Sequence, residues 1–69
     1  MESKDLQRVY SLLTAEITKA QHKIDGIDRA IENCDRLNRE FWYGKRAEAV
    51  AYLNGIHRVR DIVWKELNR

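Results

Sequence analysis

Apolar side chains recur at Leu6, Tyr10, Leu13, Ile17, Ala20, Ile24, Ile27, Ile31 and Cys34, with gaps that alternate between four residues and three. Only a helix with one narrow apolar seam places such positions on a single face. A strand, with its period of two, would scatter them over both sides of a sheet. The pattern therefore predicts a long first helix over about residues 4–38, built to lie along other helices. Ser3 suits its N-cap and Asp5 the positive end of its dipole, with Met1 to Ser3 frayed. Asp25 with Arg29, Glu32 with Arg36 and Asp35 with Arg39 stand four apart, acid first, and support the helix by a few tenths of a kcal/mol each.

The same register does not continue to the C-terminus. It would next select Asn38, Phe41, Lys45, Glu48, Tyr52 and Gly55, a mostly polar or flexible set. A reversal is expected over about residues 39–45, with Gly44 as its pivot and Phe41, Trp42 and Tyr43 crowding the bend. A second helix follows over about 46–68, apolar around much of its circumference. One stripe, Tyr52, Ile56, Val59 and Val63, can meet the first helix. A neighbouring stripe, Val50, Leu53 and Trp64, points partly elsewhere, so two neighbours are implied.

Folding the chain back near Phe41 sets Gly26 beside Gly55 and Arg69 near Leu12. The first helix then overhangs, leaving Leu6, Val9 and Tyr10 with no cover from the same chain, and each such side chain left wet forgoes about 1.5–3 kcal/mol. For a small domain that is a large fraction of its stability. The expected fold is an all-α antiparallel two-helix hairpin, one domain over residues 1–69, dimerising into a four-helix, coiled-coil-like bundle. Leu6, Val9, Tyr10, Leu13 and Ile17 are its expected self-association residues. The segments around Gly26 (Ile24 to Ala30) and Gly55 (Leu53 to Val59) echo one another, either by chance or as paired notches for a closely approaching helix.

Size and composition sharpen this picture. Sixty-nine residues lie near the lower limit for a chain that folds alone, and such chains usually rely on disulfides, a metal or a partner. The single Cys34 excludes an internal disulfide, and His22 and His57 lack the clustered spacing of a zinc site. Association remains. The absence of proline and the presence of only three glycines agree with a nearly all-helical protein. No apolar signal segment or membrane span is evident, so a soluble, cytoplasmic protein is expected.

No glycine-rich phosphate loop, metal-ligand helix pair or nucleophile motif is present, and no enzymatic activity or cofactor is expected. Binding features are better represented. Arg60 stands four residues before Trp64, so its guanidinium can stack on the indole. Trp, Tyr and Arg dominate interface energetics. Two protein-binding surfaces are expected: Trp64, Arg60 and His57 on one, Trp42 and Tyr43 at the bend on the other. The alternative is that Trp42 and Tyr43 plug the hairpin end and Trp64 fills a dimer core. An adaptor, an assembly subunit or a steric inhibitor of a larger protein would fit, and small genes of this kind are often phage or mobile-element encoded.

Charge supplies the competing expectation. The chain carries 13 basic and 11 acidic residues, and the second half is mildly basic through Lys45, Arg46, Arg58, Arg60, Lys65 and Arg69. In length and layout only, with no shared motif, the chain is similar to small helical-hairpin dimers of the Rop type, which bind RNA loops. Glu48, Asp61 and Glu66 interrupt the basic face, and the net charge of +2 is far from a strongly basic nucleic-acid footprint.

Overall fold

The computed structural model describes residues 3–69, so Met1 and Glu2, with the expected fraying there, lie outside the described residues. Two helices make up the fold: α1, Ser3–Asn33, and α2, Arg39–Leu67. They pack antiparallel into a hairpin whose Cα trace measures 51 × 14 × 13 Å. No described helix is long and apolar enough to cross a membrane.

The seam of α1 faces inward along its whole length. Ile17, Ala20, Ile24 and Ile27 are buried, and Leu6, Tyr10, Leu13 and Ile31 are half-buried. On α2 the inward set is Trp42, Ala49, Leu53, Ile56, Arg60, Val63 and Leu67. The exposed Arg46 stands at the same register between Trp42 and Ala49, so that the positions again run with gaps of four and three. Ala49, Leu53, Ile56 and Val63 are its buried members. Tyr52 and Val59, expected to face α1, are about half exposed, while Leu53, expected to point away, lies in the core. The second seam is phased independently of the first, because the turn between them resets the helical register.

The reversal comes earlier than the expected 39–45. It spans residues 34–38, and Gly44 lies within α2 with an ordinary helical backbone. Asp35 sets the turn: its Oδ1 accepts the Asn38 N–H at 3.2 Å and the Asn38 side-chain amide at 2.8 Å, beside an Asn38 N–H to Asp35 carbonyl contact of 3.3 Å. Short polar side chains that bond nearby backbone favour a turn over another helical repeat. Asp35 is thereby diverted from the expected pairing with Arg39. Among the described residues the ion pairs are Lys45–Glu48, Arg46–Asp28 and Arg69–Glu66, and none of the three anticipated pairs along α1 forms.

The earlier turn removes the overhang. Asp28 now faces Arg46, Glu16 faces Tyr52 and Tyr10 faces Trp64, so the reversal centres near Arg36 instead of Phe41. α2 reaches back to the first turns of α1, where Gln7, Tyr10 and Ser11 share a hollow with Trp64, Leu67 and Asn68. Leu6, Val9 and Tyr10 are half-buried within the chain. The two glycines are also not level, since Gly26 lies beside the start of α2 and Gly55 beside the middle of α1. A Cβ added to either would meet nothing within 4 Å, so no notch is filled inside the hairpin.

Candidate functional site

Two helices enclose a core on one line only, which leaves the hairpin with two long sides. They differ in chemistry.

One side carries the expected Trp64 group. Trp64 is 51% exposed and lies 5.7 Å, centroid to centroid, from the Tyr10 ring at a 40° tilt. The Arg60 guanidinium sits over Tyr10, 5.6 Å from its centroid, and not over Trp64 as the four-residue spacing suggested. Tyr10, projecting across from α1, takes the cation because its ring occupies the inward position opposite Arg60. His57 is half-buried, one turn before Arg60. Trp64, Arg60 and His57 therefore do share one region, with Tyr10 as an added member that the overhanging register had assigned to self-association. Of the other residues given that role, Leu13 and Ile17 pack into the hairpin's own core.

Trp42 and Tyr43, expected to act together, part company. They follow one another on α2 and so diverge by about 100°. Trp42 is half-buried against the core, with the Phe41 ring edge-on to it at 5.3 Å and 78°. Tyr43 is 54% exposed. Trp42 thus closes the turn end of the core while Tyr43 stays outside.

The other side was not anticipated. A groove of about 610 Å³ runs between the helices, floored by Ala20, Ile27 and Ala49. Phe41 and Trp42 close one end, and Tyr52 closes the other by donating its hydroxyl hydrogen to Glu16 Oε1 at 2.9 Å. That hydrogen bond holds the phenol proton, lifting the Tyr52 pKa above its ordinary 10.0; partial desolvation and the Glu16 charge act in the same direction. Lys19, Lys23 and Lys45 stand on the groove's rim, and Lys45 Nζ lies 5.6 Å from the Phe41 centroid. The groove follows from small residues on facing seam positions, Ala20 and Ala49, which bring no bulk to fill the space between the helices. That signal was present in the sequence and became readable only once the phase of α2 was fixed.

Of the basic residues from Lys45 onward, four of six are drawn into the hairpin's own contacts. Arg46 Nε reaches Asp28 Oδ1 at 2.7 Å, Arg69 reaches Glu66 at 3.3 Å, and Lys45 and Arg60 lie over rings. Among the described residues no group of three or more His, Cys, Asp or Glu side chains is placed to hold a metal ion. No family model, curated protein or solved structure matches the chain.

Proposed function

We propose that this protein is a small non-enzymatic module that binds other protein helices, acting as an adaptor, an assembly subunit or a steric inhibitor, and that its hairpins pair into a four-helix bundle. One observation carries this reading. Among the described residues none is completely buried, and even Ala20 and Ile24 keep 5% of their surface. Meanwhile Leu12, Phe41, Tyr43, Tyr52, Val59, Ile62 and Trp64 are each about half exposed or more. Scattered apolar residues on a surface need no explanation, but this many large ones flanking so thin a core mark surfaces awaiting cover.

The Trp64 side supplies the contacts for a foreign partner. Its rings are held by the hairpin yet open to solvent, the arrangement in which aromatic and arginine anchors contribute most to binding. Capture of partners from the native host, followed by mass spectrometry, tests this with Trp64→Ala as the control. The variant should bind the captured partner at least tenfold more weakly while keeping its helical circular dichroism. The loss of the Tyr10 contact costs the hairpin only about 0.5–1.5 kcal/mol. A complex that instead weakens steeply between low and physiological salt, and survives Trp64→Ala, would point to nucleic acid and overturn the proposal.

A further inference from the structure

The hairpin exposes 5640 Å², whereas a compact monomer of 8.2 kDa exposes about 4500 Å² by the general scaling of surface with mass. The excess, about 1100 Å² per chain, would amount to about 2200 Å² for a pair, at the border between standard interfaces and obligate homodimers. Covering it takes a partner about as long as the hairpin itself.

The groove side has a pattern that its own copy can match. The Tyr52–Glu16 hydrogen bond fixes which helical stripes share this side. From Glu16 the stripe on α1 runs back to Leu12 and Asp5 and forward to Lys19 and Lys23. From Tyr52 the stripe on α2 runs back to Lys45 and Phe41 and forward to Val59, Ile62 and Glu66. At the turn end lie the groove and three lysines. At the open end lie projecting aliphatics, Leu12 at 65%, Val59 at 48% and Ile62 at 62% exposure, together with the carboxylates Asp5 and Glu66. The one acid at the turn end, Glu48, is matched by Lys45 at 4.0 Å, and Glu66 is shared with Arg69 at 3.3 Å. Tyr52 and Glu16 sit within two residues of the midpoints of α2 and α1.

We infer that the groove side is where a second copy of this chain docks, the two hairpins running in opposite directions about a two-fold axis beside Tyr52. That operation lays Leu12, Val59 and Ile62 of each copy toward the groove of the other, and the acidic open end of each against the lysines of the other. A self-complementary patch of this kind is what an isologous two-fold interface requires. Parallel pairing would instead stack lysines on lysines. The inference deepens the reading of the hairpin as an associating module, leaving the Trp64 side free for a foreign partner.

Sedimentation equilibrium of the full chain, combined with a distance measurement, tests it. Leu37, 92% exposed at the turn, is replaced in a Cys34→Ser background by a spin-labelled cysteine (Leu37→Cys). The labelled protein should be a dimer whose labels lie roughly 45 Å apart, since Leu37 is fifteen residues from Tyr52 along α2's direction. Val59→Lys with Ile62→Lys, which sets new charges against the groove lysines of the other copy, should raise the dimer dissociation constant at least a hundredfold with helical content unchanged, and Tyr43→Glu on the opposite side should leave it alone. A monomer at 100 μM overturns the inference, as does a dimer with labels within about 20 Å, the parallel arrangement. A dimer broken by Tyr43→Glu and not by the Val59 and Ile62 pair does so too. An antiparallel dimer that captures no host protein would sink the partner-binding proposal and leave this one standing; a monomer that captures one would do the reverse.

Discussion

At the scale of single residues, the three glycines show how a local cost can persist without a structural reason in the hairpin. Gly26, Gly44 and Gly55 all lie inside helices with ordinary backbone angles, and a Cβ at any of them would point into open space. A helical glycine costs about 0.5–1 kcal/mol relative to alanine, mostly through the freedom it loses on folding. Gly26→Ala, Gly44→Ala and Gly55→Ala should therefore each stabilise the protein by about 0.5–1 kcal/mol, raising its midpoint by a few degrees in a thermal melt followed by circular dichroism. A drop in the midpoint at Gly44 would mean that the glycine serves as a bend. The seam arginines make the opposite point. Arg46 and Arg60 fall at register positions that an apolar residue would normally hold; Arg60 is half-buried with its head over the Tyr10 ring, and Arg46 stays exposed and pairs with Asp28.

Those two arginines also explain what was legible at the scale of elements. Eight successive seam positions on the first helix, Leu6 to Ile31, are apolar, so its inward face could be read directly, though it ends at Asn33 and not near residue 38. The second seam is broken by Arg46 and Arg60 and thinned by Ala49, while Tyr52, Val59 and Ile62 lie outside it. Hydrophobicity alone therefore placed Ile56 and Val63 inward correctly but chose Tyr52 and Val59 where Leu53 belongs. The turn was misplaced for a related reason: Gly44 is the more familiar breaker, whereas the chain reverses on the Asp35 carboxylate and Asn38. Because that carboxylate accepts two hydrogen bonds from Asn38, Asp35→Ala should lower stability by about 0.5–1.5 kcal/mol, measured as a fall in the denaturant midpoint with unchanged m-value. An unaffected midpoint would place the turn's determinants elsewhere. Of the candidate site, the clustering of Trp64, Arg60 and His57 was accessible from spacing. Tyr10's membership and the groove were not, because both depend on where the chain turns.

At the scale of the whole molecule, the earlier turn changes the argument for association without removing it. An overhanging helix would have needed a partner at one end; the observed hairpin, with its helices nearly matched in length, instead exposes its large apolar side chains along its sides. What decides the matter is whether folding and pairing are one event. If the groove side is covered by a second copy, the folded species is a dimer and its stability must depend on protein concentration by mass action. A tenfold increase in concentration is worth about 1.4 kcal/mol per dimer. Spread over the unfolding entropy of two 69-residue chains, that raises the melting midpoint by about 5 °C. Melts between 2 and 200 μM should therefore rise by about 10 °C in total. In the Val59→Lys, Ile62→Lys variant the midpoint should be low and independent of concentration, because its new lysines are set against Lys19, Lys23 and Lys45 on the groove of the other copy. A wild-type midpoint that stays fixed over this range would show that the thin seam of Ile17, Ile24, Leu53 and Ile56 holds the hairpin alone, and that the exposed aliphatics serve something other than a second copy.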